Sequence, residues 1–328
     1  MYCKMPEALP EHNTLYIVTA INNPLLWHSR YRLARAAILD WLKEPNVHVT
    51  IVEAAHGERA HCLHDLACES GRVTHIGVYA KTTAWSKECC INLGIQSLPA
   101  GAKYIGTFDA DVRWRVPGWA GQVVHALNLY PVVQPWQTCY DLGPNDEHLQ
   151  AHQGFAYAYF NGLPVFKKDI AKWNYYGRKY GYPHPGYAWA WTRDALNGIG
   201  GLFELGGMGS GDHHMALALV GMADRSLPDG CGPEYRAAVE LWQRRALGAV
   251  NRKLGYVPLT IEHKWHGDKK RRGYISRWGC FVKHGFNPLQ DLRRNSWGVL
   301  EFDGNKPELE REFDLYLRSR QEDANIIA

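Results

Sequence analysis

Lys103-Tyr104-Ile105-Gly106-Thr107-Phe108-Asp109-Ala110-Asp111-Val112 decides how this chain is read. The apolar run up to Phe108 predicts a short buried strand, and the strand ends in two carboxylates separated by one small residue. Carboxylate oxygens are hard ligands, and a pair at this spacing can share one divalent cation. An open α/β sheet places its ligand crevice at the carboxyl ends of its strands, where these acids stand. A lone Asp-x-Asp is otherwise an ordinary solvated turn, so the flanking segments must decide.

Upstream, Leu15 to Ala20 is rich in β-formers and breaks at Ile21-Asn22-Asn23-Pro24. Apolar residues then recur at helical spacing from Arg30 to Leu42. Further strands are expected at Val47–Val52, ending at Glu53, and at His75–Tyr79, with a helix from Ser86 to Leu98 closed by Pro99. This alternation predicts an α/β domain whose central sheet is mostly parallel and covered by helices on both faces. Downstream, a helix is expected over Gly118–Leu129, a strand over Pro131–Trp136, helices over Asp212–Val220 and Glu234–Leu254, and a strand over Tyr256–Ile261. Residues 150–187, rich in Tyr, Gly and Pro, read as irregular loops lining a site. Trp189 and Trp191 are expected on opposite sides of a strand. A charged helix over 308–323 closes the chain. With no repeat and no low-complexity linker, one domain over 1–285 is expected, its halves meeting near 125/126, with 286–328 as a C-terminal extension carrying the terminal helix.

Composition narrows the class. The 13 Trp and 18 Tyr offer flat faces with polar edges for stacking on sugars or bases, though most must pack the core. Net charge is only +4, but nine Lys/Arg fall between Arg252 and Lys283 against Glu262 and Asp268, which favours an anionic partner. The eight cysteines include no CxxC pair and read as reduced thiols. The first residues lack the pattern of a signal peptide and no apolar run approaches a membrane span, so a cytoplasmic protein is expected, in the host cytoplasm if phage-encoded.

Several further segments fall in a telling order: Thr19 to Pro24, Glu53, Lys87-Glu88-Cys89-Cys90-Ile91-Asn92-Leu93-Gly94, the Asp109/Asp111 pair, His184 to Trp191, Gly209-Ser210-Gly211-Asp212-His213-His214, and Ile261-Glu262-His263-Lys264-Trp265-His266-Gly267. In this order the chain resembles the GT-A-fold glycosyltransferases, which use nucleotide-sugar donors, over roughly residues 14–290. It is similar in kind to the DxD-containing, galactosyltransferase-like enzymes of bacteriophages and bacteria. The resemblance implies a nucleotide-sugar-binding half (about 14–125) and an acceptor half (about 126–285). It assigns Thr19, Asn22, Glu53, Lys87, Asn92 and Asp109 to the donor, with Asn92 bracing the loop that carries the acids. It assigns Asp109 and Asp111 to a Mn²⁺ or Mg²⁺ ion, with a late histidine completing the shell: His266 first, His263 as the alternative. It makes Asp212 the general base of an inverting transfer, and places Trp189, His213 and His214 at the acceptor, with Tyr187 and Trp191 in or behind the core. Gly211 departs from the family pattern, which carries an acid there.

The resemblance implies a metal-dependent hexosyltransferase, with a UDP-sugar as donor. Its acceptor stays open between a hydroxymethylated pyrimidine of phage DNA and a glycan, lipid-linked sugar or small metabolite. Two other classes stand beside it. A degenerate carbohydrate- or nucleotide-binding module would need no base, and a hydrolase or nuclease would concentrate its metal ligands in one short motif.

Overall fold

In the computed structural model, residues 13–166, 183–273 and 277–323 are described, with the side chains of Lys269 and Lys270 excepted. Seven strands form the central sheet: β1 (Leu15–Asn22), β2 (Val47–His56), β3 (Val73–Ala80), β4 (Tyr104–Phe108), β6 (Val132–Gln134), β9 (Ala188–Thr192) and β10 (Leu254–Tyr256), in the order β10-β6-β9-β4-β1-β2-β3. A second sheet, ordered β5-β11-β7-β8, holds β5 (Val112–Trp114), β7 (Thr138–Leu142), β8 (His148–Gln153) and β11 (Thr260–His263). A hairpin of β12 (Leu292–Arg294) and β13 (Leu300–Phe302) lies near the C-terminus. The central sheet is largely parallel, as expected; β9 alone runs against both of its neighbours.

Period-two patterning explains why the sheet is covered on both faces. Leu15 and Ile17 of β1 join one apolar cluster with Trp41 and the Trp119–Leu127 helix, while Tyr16 and Val18 join another with Ile91, Ile95 and the helices of the second half. Gly94 of the Lys87–Ser97 helix explains its Asn-x-Gly motif in steric terms. A Cβ there would meet Val18 Cγ1 at 2.4 Å, so only glycine lets this helix lie so close to β1.

Several expectations are corrected. Tyr256–Ile261 is not one strand: Pro258, which has no N–H to donate, separates β10 from β11, and these belong to different sheets. Within 150–187, β8 and a Phe155–Phe160 helix replace loops, and 167–182 lies outside the described residues. The Pro233–Val250 helix stops at Asn251, which adopts a left-handed φ of 48°. Trp189 and Trp191, two residues apart, share one face of β9 with ring centroids 6.0 Å apart, as strand periodicity requires. The segment after 286 packs inward, with Leu292, Phe302, Phe313 and Leu317 in the same cluster as Trp191.

No helix among the described residues is long and apolar enough to cross a membrane. The cysteines among them are free, and Cys89, Cys90, Cys139 and Cys280 are buried.

Candidate functional site

The chain order β3-β2-β1-β4 reverses direction between β1 and β4, which makes the crevice at their carboxyl ends the topological switch point. Asn22 closes β1 there and Asp109 follows β4. A cleft opens at this place, and its lining includes Asn22, Lys87, Glu88, Asp109, Asp111 and Asp212. The acids after β4 and the acid of the Gly211–Leu219 helix therefore share one cavity.

The second sheet builds a candidate metal centre. β5 begins right after Asp111, and β11 pairs with it so that His263 lies opposite Val112, while β7 puts Asp141 opposite His263 on the other side. His266 follows three residues on. Ligand atoms of Asp111, His263 and His266 lie within 4.8 Å of one another. Asp111 Oδ2 stands 3.0 Å from His266 Nε2 and 3.6 Å from His263 Nε2, and the two Nε2 atoms are 3.3 Å apart.

Carboxylates also stand behind the rings. His263 Nδ1 lies 2.9 Å from Asp141 Oδ1, and His266 Nδ1 lies 3.4 Å from Glu322 Oε2. Burial would lower the His263 pKa, but Asp111 and Asp141 on its two sides together raise it, and a divalent ion bound at Nε2 would replace the proton there. Asp141 is itself anchored by Tyr187 Oη at 2.8 Å and by His152. Histidines held from behind by carboxylates, with free nitrogens converging, form the arrangement that orients metal ligands. The guanidinium of Arg272 also reaches this convergence, 3.0 Å from His266 Nε2. The buried Asp111 Oδ1 has no hydrogen-bond partner among the described residues. These residues fit a divalent ion accepting one oxygen and two imidazole nitrogens, so both candidate histidines belong to the set. Asp109 is outside it. Its Oδ1 instead accepts a hydrogen bond from Lys87 Nζ at 2.9 Å.

The rest of the cleft is cationic. Arg30, Arg272, Arg277 and Arg320 line it beside Lys87. Burial would lower the Lys87 pKa, but Asp109, Glu88 and Asp212 together raise it, so this ammonium keeps its charge. Arg30 is held by a bidentate pair with Glu322, at 2.6 and 2.9 Å, and donates to the Asn22 carbonyl at 2.7 Å. Asp323 accepts from the His28 and Ser29 amides, which fastens the chain's end over the first helix. Sequence reading missed Arg30, Arg320 and Glu322, and nothing local marks them as site residues.

Elsewhere in the lining, Gly209 and Ser210 hold left-handed φ values of 92° and 64° before the helix that carries Asp212. Such backbone in a non-glycine residue is strained, and here Arg277 secures Ser210 through its hydroxyl. Asp212 stands in the helix's first turn, where the macrodipole favours a carboxylate.

Other expected site residues are structural in this geometry. Thr19 is fully buried and donates to the Phe108 carbonyl at 2.8 Å, tying β1 to β4. Asn22 does reach the cleft, but its amide is locked by Ala84, Ser86 and His56. Asn92 braces the loop at Leu202 rather than the acids after β4, giving one bond to the Leu202 carbonyl and taking one from its amide. Trp189 is buried and donates to the Pro185 carbonyl, so it faces core and not acceptor; Tyr187 and Trp85 line the cleft instead, Tyr187 stacked on His184 at 4.0 Å. His214 is likewise buried between Ser226 and Tyr235. His213 is half-buried beside Asp212, and burial lowers its pKa and favours the neutral ring.

Glu53 is fully buried and accepts from the Cys62 and Leu63 amides and from His75. Burial would raise its pKa, but these donors together hold it below the ordinary glutamate value. Its stabilisation is therefore complete above the unfolded pKa and is lost as pH falls through the lower folded one. Glu53→Gln should cost about 2 kcal/mol in urea denaturation at neutral pH, with the difference shrinking in acid. Its donor KM should match that of the wild type; a raised KM with unchanged stability would return Glu53 to the donor site.

No protein-family model matches the sequence, and no curated protein matches it. Among solved structures, the chain is similar to a mannosyltransferase from Pyrobaculum calidifontis in complex with GDP-Man and Mn²⁺, at 13% identity and a TM-score of 0.44 over 93% of this chain and 70% of that one. It is also similar to S. aureus TarS, at 8% identity and a TM-score of 0.41 over 95% and 73% of the two chains. A third likeness is to the catalytic domain of Drosophila β1,4-galactosyltransferase 7 in complex with xylobiose, at 11% identity and a TM-score of 0.32 over 66% and 63%. Likeness this distant transfers no chemistry to this chain.

Proposed function

We propose that the protein is a divalent-metal-dependent, inverting glycosyltransferase of GT-A type, which moves a hexose from a nucleotide-sugar, a UDP-sugar first, to an acceptor hydroxyl. One observation carries this reading: a carboxylate–bis-histidine set, a cationic wall and a separate carboxylate at a helix N-terminus surround a single cleft at the sheet's switch point. Mn²⁺ suits one carboxylate with two imidazoles, and when bound it would supply positive charge to the leaving diphosphate. Arg272, Arg277, Arg320 and Lys87 neutralise the same phosphates, and a charge-lined site of this kind is worth most where charge develops during the reaction. Asp109, tied to Lys87, orients the donor's polar groups. Asp212 takes the proton of the attacking hydroxyl.

The basic excess of residues 252–283 supports the donor more than a nucleic-acid acceptor. Arg272 and Arg277 line the cleft, Arg252 bonds the Val220 carbonyl, and Lys264 and Lys283 pair with Asp146 and Glu312. We therefore place a saccharide, lipid-linked sugar or small hydroxylated metabolite ahead of a modified DNA base as acceptor. The deciding experiment incubates the protein with Mn²⁺ and a panel of nucleotide sugars, and follows nucleotide release with and without hydroxymethylated DNA. Release from one donor, abolished by EDTA and indifferent to DNA, is the expected outcome. Release that requires modified duplex, with tight salt-sensitive binding to it, would transfer the proposal to DNA. Binding of nucleotide with no release from any donor would leave a binding module instead.

A further inference from the structure

Gly211 opens the helix that carries Asp212, and the space beside it is not empty. A Cβ built on Gly211 would lie 2.7 Å from Glu88 Oε1 and 2.8 Å from Glu88 Cδ. The carboxyl of Glu88, reaching over from the first turn of the Lys87–Ser97 helix, therefore fills the place of a residue-211 side chain. It lines the cleft with Asp212, its side chain is only 6% exposed, and Lys87 Nζ, 3.9 Å away, is already bonded to Asp109 at 2.9 Å.

We propose that Glu88 is the second carboxyl of the catalytic base, supplied from another helix in place of a side chain at 211. This inference rests on the transferase reading above. As the acceptor oxygen bonds to the anomeric carbon, the bond from that carbon to the donor's terminal phosphate oxygen breaks, and its electron pair leaves with the nucleotide. The acceptor proton passes to the Asp212–Glu88 pair and comes to rest on Glu88, the more buried carboxyl, before release to solvent. The charged and titratable groups around Glu88 are Lys87 on its own helix, Asp109 after β4, Asp212 on the helix opposite, Arg277 beyond Ser210, and the buried Tyr235 and Cys90. Burial pushes the Glu88 carboxyl up to about 7, with Lys87 opposing and Asp212 and Asp109 adding to the rise. A base is most effective when its pKa lies near the working pH.

The test is the pH profile of transfer in the full chain with Mn²⁺ and the donor found above. Wild-type kcat/KM should rise with pH through a limb near 7. Glu88→Gln should lower transfer by about 10²-fold or more and remove that limb, with donor binding by calorimetry unchanged. The Glu88→Gln/Asp212→Asn double variant should be no slower than the slower single one, because the two carboxyls act as a unit. Glu88→Asp keeps a carboxyl and should displace the limb rather than erase it, which covers the case in which the Gln variant folds poorly. Glu88→Ala with Gly211→Glu should recover part of the loss. A Gln variant with wild-type rate and pH profile overturns the inference, as does a transfer loss matched by an equal loss of donor affinity. A wild-type protein that transfers no sugar from any donor fails the transferase reading itself, whereas an active wild type with an indifferent Glu88 fails this inference alone.

Discussion

Asp111→Ala should eliminate Mn²⁺-dependent nucleotide release and Mn²⁺ binding together. The expectation follows from geometry: Asp111 Oδ2 lies within 3.6 Å of the Nε2 atoms of both candidate histidines, and its other oxygen is buried without a partner among the described residues. Removing this carboxylate takes away the only anionic ligand of the set, so two neutral imidazoles would remain to hold a doubly charged ion. Loss of a group that stabilises transition-state charge typically costs ~10²–10³-fold in rate. Calorimetric titration with Mn²⁺ is the direct measurement, because it does not depend on knowing the donor. Asp141→Asn should weaken the same binding by about 10–100-fold, since Asp141 touches no ion and acts by orienting His263. Undiminished Mn²⁺ affinity in Asp111→Ala would dismantle the centre, and full activity of the wild type in EDTA would dismantle its role.

How much of this was legible in the sequence depends on how local each signal is. Asp109 and Asp111 were readable because strand and acids lie in one decapeptide. The late histidines were visible as a motif, but choosing between His263 and His266 required β11 to pair with both β5 and β7, a contact between residues 122 positions apart for His263 and Asp141. That pairing brings both beside Asp111 as candidate ligands, where sequence reading sought a single one. Glu322 could not be found: it meets Arg30 across 292 residues, and it lies past the terminal helix, which stops at Ser319 although the charge pattern suggested that it runs on to 323. Glu53 and Asn92 were misplaced for a different reason. β2 runs on to His56 and Asn92 sits mid-helix, so both are interior to their elements, and a polar residue there is as suited to satisfy buried backbone as to bind a ligand; here both bond backbone amides or carbonyls. The Trp189 assignment failed on periodicity, since residues two apart on a strand share a face and both indoles went to the core.

Asp212→Asn should leave donor affinity within about twofold of the wild type while reducing transfer by ~10²–10⁴-fold. The separation is expected because Asp212 is not one of the converging Asp111, His263 and His266 groups and stands on the first turn of a helix whose start is fixed by Ser210 and Arg277 rather than by the Asp212 carboxylate. Its Oδ1 accepts the neighbouring His213 amide at 2.9 Å, a bond the amide side chain of asparagine can also accept. Folding should therefore be little changed, and thermal denaturation would verify this. What asparagine cannot do is take a proton. A variant that binds donor, holds Mn²⁺ and fails to glycosylate would isolate the loss in the chemical step. If the same variant still hydrolysed donor slowly to free sugar, water would be entering where the acceptor stands, and the defect would lie in activating the nucleophile rather than in departure of the nucleotide. Normal transfer by Asp212→Asn would instead strip the helix of any base and leave the cleft a donor-binding pocket whose attacking group is activated elsewhere.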